Sequence, residues 1–153
     1  MSLNNFTVKS QEAVQKAAEI ASVGSNQAVE PLHLLKGIFL VDENVVPFLF
    51  GKLGVNFGSF SGLLDREIDA LPKVSGGEPY LSSNSNKVLR KAQELASAAK
   101  DEFVSIEQFL LAILSLDDPA SRLLKRSGVN EKDLKSSIGQ LRKGSSVNSA
   151  TAE

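Results

Sequence analysis

Few residues in this chain are of the types that most often carry chemistry. There is one histidine, His33, and there is no cysteine. Thiolate zinc sites, iron–sulfur clusters, disulfide scaffolds and cysteine nucleophiles are thereby excluded. His33 stands at the start of an apolar run with no second ligand type beside it, which favours packing or hydrogen bonding over catalysis. A phosphate-cradling loop needs Gly-x-x-x-x-Gly-Lys-Ser/Thr, whose glycines let backbone amides face the nucleotide. Gly51-Lys52 is followed by Leu53 and Gly76-Gly77 by Glu78, so neither segment fits. These residues are therefore expected neither to bind nor to hydrolyse ATP. Carboxylates and hydroxyls remain, without a histidine to converge on, so an enzyme ranks behind a binding module. Phe48, Phe50, Phe57 and Phe60 lie at helical spacings around Gly54. Packing between helices is the better reading of this cluster, with a contact to bound peptide left open for one of the rings.

Composition narrows the partners. The chain has 153 residues, with 17 Lys+Arg against 18 Asp+Glu for a net charge of −1. Basic residues are dispersed, and a local group such as Lys125-Arg126 is only two long, so no field is available to hold a nucleic acid or an anionic membrane. The most apolar stretch, Val45 to Phe50, is far shorter than the ~20 residues that span a bilayer. The start, Met1-Ser-Leu-Asn-Asn-Phe, lacks the basic and apolar regions of a signal peptide. With no cysteine, this fits a cytoplasmic protein. Residues 144–153 are almost all Gly, Ser, Asn, Thr and Ala and read as a flexible linker to something further along the chain.

The elements that position these residues come from a duplication. Gln15-Lys-Ala-Ala-Glu-Ile-Ala-Ser22 and Arg90-Lys-Ala-Gln-Glu-Leu-Ala-Ser97 share five identities at a shift of 75. The same shift maps Val29 onto Val104 and Pro31, Leu34, Leu35, Ile38 and Phe39 onto Ile106, Phe109, Leu110, Ile113 and Leu114. A shift of 74 then places Leu49, Gly54, Val55 and Asn56 on Leu123, Gly128, Val129 and Asn130. Such agreement across separated blocks identifies a tandem repeat.

Each repeat reads as four helices. Val14, Ala17, Ala18 and Ala21 form a narrow stripe suited to close helix approach, with Thr7 as N-cap. Glu30-Pro31 opens the second helix, and Ser105 to Gln108 fits a capping box at its copy. Asp118-Pro119 opens a later helix and Gly54 and Gly128 close theirs. Asn56 and Asn130 cap the last helices, with apolar sets Phe60, Leu63, Leu64, Ile68, Leu71 and Leu134, Ile138, Leu141. In the fifth helix Val88, Ala92, Ala96 and Ala99 make the inward stripe, leaving Leu95 on its flank. No alternation of the strand type competes. The expected fold is all-α: two pseudo-twofold-related four-helix repeats, about 6–71 and 81–142, joined by a connector at 72–80 within one domain over 1–143.

Phe6 to Ala13, Glu30 to Leu35 and the duplication together resemble the N-terminal domain of the Clp family of AAA+ unfoldases. Leu71-Pro-Lys-Val74 is most similar to the ClpB-type disaggregase branch. The resemblance spans residues 3 to about 143. It implies a chaperone module ahead of a linker and two ATP-binding ring modules, which assemble as hexamers, whereas this segment itself would be monomeric. It also implies a shallow apolar groove that holds unfolded or aggregated polypeptides, with Thr7, Asp101 and Glu107 as polar members and Leu95 as apolar wall. Lys91 and Gln108 stand where apolar groove residues are expected. Glu107 matches one of the paired glutamates with which related domains recognise phosphorylated arginine, but Leu32 replaces the other, so that activity is not expected. Taken by themselves, Thr7 could be a cap alone, Asp101 and Glu107 could serve the helix dipole, and Leu95 could be core. Docking of a folded adaptor protein is the alternative function.

Overall fold

The computed structural model describes residues 2–74, 76–143 and 146–153. Its described residues form α1 (Val8–Val23), β1 (Ala28–Val29), α2 (Pro31–Val41), α3 (Val45–Leu53), α4 (Phe57–Asp69), β2 (Tyr80–Leu81), α5 (Ser83–Ala98), α6 (Ile106–Ser115), α7 (Pro119–Arg126) and α8 (Glu131–Arg142). Helices dominate, four in each half, in the order that the repeat predicts.

Local chemistry explains the helix ends. Thr7, Ser82, Asn56, Asp118 and Asn130 each place a side-chain oxygen where it accepts the amide three residues on. That satisfies one of the amides a helix start leaves without an intrahelical partner. Gly54 ends α3 at φ 70°, in the left-handed region where a side chain is penalised. At α6 the expected box is half made. Ser105 Oγ accepts the Gln108 amide at 3.5 Å, but the Gln108 side chain turns instead to Asp101.

The stripe on α1 does bring helices close. Ala13, Ala17 and Ala21 are fully buried, and a β-carbon on Gly37 of α2 would overlap the Ala13 carbonyl oxygen. The backbones of α1 and α2 are therefore nearly in contact. The copy of Gly37 is Ala112, and the copy of Ala13 is Val88. Larger residues at both positions hold α5 and α6 further apart.

Two small parallel pairings were not foreseen. β1 pairs with β2 through Ala28–Tyr80 and Val29–Leu81, and Phe6 bridges Val104. The segment leading into the first helix of each repeat thus pairs with the segment leading into the second helix of the other. Phe6 completes the exchange by packing edge-on against Phe109 of α6, with ring centroids 6.1 Å apart.

The aromatic cluster is core. Phe39 and Phe50 both meet Phe57 and Phe60 at 4.8–5.8 Å between centroids. Phe48 instead faces solvent, with Lys52 Nζ 5.6 Å from its ring. Three apolar expectations shift: Leu63 is exposed on the outer side of α4, Ala99 is exposed at the end of α5, and Leu141 is only half buried. Within the segment read as a linker, Gly144 and Ser145 lie outside the described residues. Residues 146–153 run back along the domain, with Val147 buried.

Candidate functional site

A groove of about 530 Å³ opens between α5, α6 and α8. Leu95, Ala98 and Ala99 supply one wall from α5, Leu111 and Gln108 the floor from α6, and Ile138 and Gly139 the other wall from α8. The lining is mostly apolar, and Leu95 is half exposed at its edge, on the flank of the α5 stripe. At Gly139 a β-carbon would meet nothing within 4 Å, so the groove has open space beside α8 there. Lys135 and Arg142 place positive charge on the α8 side. Of the two departures noted in the sequence, Gln108 does line the groove, whereas Lys91 stands outside the lining residues.

The first repeat carries different residues at the positions corresponding to this groove. The copies of Leu111 and Gly139 in the first repeat are Lys36 and Asp65, and these form an ion pair at 3.0 Å. A paired lysine and carboxylate thus stand where the second repeat has leucine and glycine.

At one end of the groove lies a polar cluster. The Arg142 guanidinium donates through Nη1 and Nη2 to both oxygens of Asp101 at 2.9 Å, through Nε to Glu107 Oε2 at 2.6 Å, and to Ser105 Oγ at 2.9 Å. These charges are almost wholly removed from water, with side chains 11%, 0% and 5% exposed for Arg142, Asp101 and Glu107. Burial alone would push the Asp101 carboxyl up, but Arg142, the Val147 amide and Gln108 together hold it below its usual range. For Arg142 burial works against the charge, and its two carboxylate partners more than offset it. Glu107 Oε1 is buried and has no hydrogen-bond partner among the described residues. An acceptor left in that state costs roughly 1–3 kcal/mol until a donor reaches it.

Thr7 lies beside this cluster, at the α1 terminus that meets the α6 terminus. It is fully buried, its Oγ1 accepts the Ser10 amide at 3.1 Å, and its hydroxyl donates to Glu153 Oε2 at 3.2 Å. The structure therefore gathers Thr7, Asp101 and Glu107 at one place and sets Leu95 along the adjoining groove. Glu107 is in the first turn of α6, where the dipole favours it. Sequence reasoning missed Arg142, the residue that joins them. Its signal was present: the shift of 74 sets Arg142 on the apolar Ile68, so an arginine replaces a core position.

In the first repeat the positions matching Asp101, Glu107 and Arg142 are the uncharged Asn26, Leu32 and Ile68, and Glu30 stands at that of Ser105. His33 Nε2 and Asn26 Oδ1 are 3.0 Å apart, and the Glu30 amide donates to His33 Nδ1 at 2.9 Å. Burial lowers the His33 pKa to about 4, so the ring is uncharged and structural. Among the described residues no group of His, Cys, Asp and Glu could hold a metal ion, and no helix is long and apolar enough to cross a membrane.

Comparisons with known proteins agree with this architecture. The chaperone protein ClpB of Bacteroides thetaiotaomicron is 49% identical over 153 residues, which cover 100% of this chain and 18% of that protein. The chain thus spans under a fifth of that relative's length, and no ATPase module falls within it. The crystal structure of the Hsp104 N-terminal domain from Candida albicans has a TM-score of 0.86 at 23% identity, covering 96% of this chain and 97% of that one. The N-terminal domain of ClpV1 ATPase from E. coli has a TM-score of 0.77 at 17% identity, covering 99% and 92%. The Clp repeat (R) N-terminal domain pattern matches residues 5–127. With a duplicated four-helix unit, crossed leading strands and this match over most of its length, the chain belongs to the Clp N-terminal domain family.

Proposed function

We propose that this domain holds exposed segments of unfolded or aggregated proteins for an ATP-driven, hexameric disaggregase of the ClpB type, in the cytoplasm. The observation that carries the reading is the largely apolar groove of the second repeat, at whose corresponding positions the first repeat carries the Lys36–Asp65 ion pair. A largely apolar lining selects for apolar side chains without a strict sequence, and a polar cluster at its end can engage a segment's backbone. Each groove would bind weakly. Six linked copies around one ring would raise the effective concentration enough to compensate. Domain limits at 1–143 and a tether beyond them complete this reading.

Gly139→Leu tests it. The substitution places a side chain into the groove from a helical position whose β-carbon meets nothing, and it removes a helix glycine worth about 1 kcal/mol. Chemical-shift titration of the domain with reduced, carboxymethylated lactalbumin should perturb Leu95, Ala99, Leu111 and Ile138. The Gly139→Leu variant should fold at least as stably and lose those perturbations. Perturbations elsewhere on the surface would refute the groove. A stoichiometric complex with one folded partner, and no response to unfolded chains, would instead establish adaptor docking.

A further inference from the structure

Three of the four residues expected to contact clients are touched or approached by the chain's own segment 146–153. Ser146 rims the groove beside Ala98 and Arg142. The Val147 amide donates to Asp101 Oδ1 at 2.9 Å, while its carbonyl accepts from the Glu102 and Phe103 amides at 2.8 and 3.2 Å. The Ala150 carbonyl accepts the Val8 amide at 2.8 Å. The Glu153 carboxylate then accepts the Ile106 amide at 2.6 Å and the Thr7 hydroxyl at 3.2 Å. Backbone amides at the starts of α1 and α6 and in the loop before α6, together with one buried carboxylate, are thus satisfied by a short stretch of this chain.

We propose that residues 146–153 are an intramolecular strap that occupies the polar end of the groove and is displaced when a client segment binds there. This rests on the client-binding reading above and adds its regulation. Most of the strap's contacts are ones that any extended polypeptide can offer, carbonyls for the Val8, Glu102 and Phe103 amides and an amide for Asp101. A client backbone can replace these, while the two made by the Glu153 side chain need another acceptor. It is also an imperfect occupant. Glu153 brings a carboxylate close to Glu107, and among the described residues Glu107 Oε1 has no donor while the strap is in place. A client that brings an N–H to Glu107 satisfies that atom and removes the like-charge contact. The composition suits release as well, since Val147 is the one sizeable apolar side chain in the strap and little area is lost when it leaves.

Two variants move the strap in opposite directions. Val147→Asp sets a carboxylate against Asp101 and should free the strap. Glu153→Gln keeps the acceptor for the Ile106 amide, removes the charge facing Glu107 and offers it an N–H, so it should tighten the strap. Amide shifts of Val8, Glu102 and Ile106 in the 153-residue chain report docking without any client. Titration with carboxymethylated lactalbumin reports competition. The expected result is altered shifts with about threefold or more tighter client binding in Val147→Asp, since a strap docked most of the time hides that fraction of sites. Glu153→Gln should bind more weakly than the parent. Unchanged shifts at all three amides in Val147→Asp would overturn the strap while leaving the client reading intact. Altered shifts with equal affinity in all three proteins would overturn the competition. Failure of all three to bind lactalbumin would overturn the client reading itself, and the competition with it.

Discussion

Arg142 holds two carboxylates that water no longer reaches, and so it sets the energetic stakes of the polar cluster. Removing one partner of a buried pair leaves an uncompensated charge, whereas replacing the whole set can be nearly neutral. Arg142→Met should therefore lower stability to urea by about 3 kcal/mol. Adding Asp101→Asn and Glu107→Gln to it should recover most of that loss. If the triple variant is as unstable as the single one, the cluster is held by packing and not by charge. Glu153 carries a second prediction. Burial, and next the charge of Glu107, raise its pKa to about 7, against the opposing pull of the Ile106 amide, the Thr7 hydroxyl and Lys9. The docked acid thus holds its proton to higher pH than the free one, whose usual value is 4.5. Docking is strongest where both forms are protonated and weakens as pH rises from about 4.5 to about 7. Asp101, Glu107, Arg142 and Lys9 face the same place, and Asp101 is already ionised through this range. The Val8 and Ile106 amide shifts should move toward undocked values over that window, and Glu153→Gln should abolish the change.

Between helices, single small residues decide what opens and what closes. Gly37→Ala sets a methyl against the Ala13 carbonyl oxygen in a contact with no slack, so it should destabilise the domain by about 2 kcal/mol despite the better helix propensity of alanine. The reverse change at the copied position, Ala112→Gly, should cost only the roughly 1 kcal/mol of a helix glycine. Thermal melts of the two variants distinguish this from a generic effect of core volume. Helix identity and caps were legible because periodicity and capping are local: Thr7, Asn56, Asp118 and Asn130 each act within three residues of themselves. The place of Leu95 on the flank of the α5 stripe was legible for the same reason, whereas its role as groove wall rested on the family resemblance alone. The groove and Arg142 were less so. They depend on what Lys36, Asp65 and Ile68 become in the copy, and a repeat is usually read for its agreements and not its differences. Leu63 and Ala99 went astray because a stripe on one helix does not say how far the neighbouring helix extends to cover it.

At the scale of the molecule, the duplication has not produced two independent units. Phe6 leads into the first helix of repeat one yet bridges Val104 and packs on Phe109 of repeat two, while Leu81 and Tyr80 lead into repeat two yet pair with Val29 and Ala28 of repeat one. Each repeat alone would expose a buried phenylalanine or lose the partner of its leading strand. Helices of this length are marginal in isolation, so packing must supply their stability. The Ser85 hydroxyl, which donates to the Val29 carbonyl at 2.6 Å, adds a buried polar tie across the same boundary. No such crossing was visible in the sequence, because two-residue strands leave no alternation to detect and their partners lie 52 or more residues away. Unfolding in urea should accordingly be a single transition, with far-ultraviolet circular dichroism and the Tyr80 signal coincident. A peptide of residues 1–78 should show little helix by itself, as should one of residues 79–153, and mixing them should restore most of the helical signal with a concentration-dependent midpoint. Independent folding of either peptide would mean that the crossed strands decorate two self-sufficient bundles. Recovery only on mixing would mean that the groove of repeat two is held open by a frame that repeat one completes.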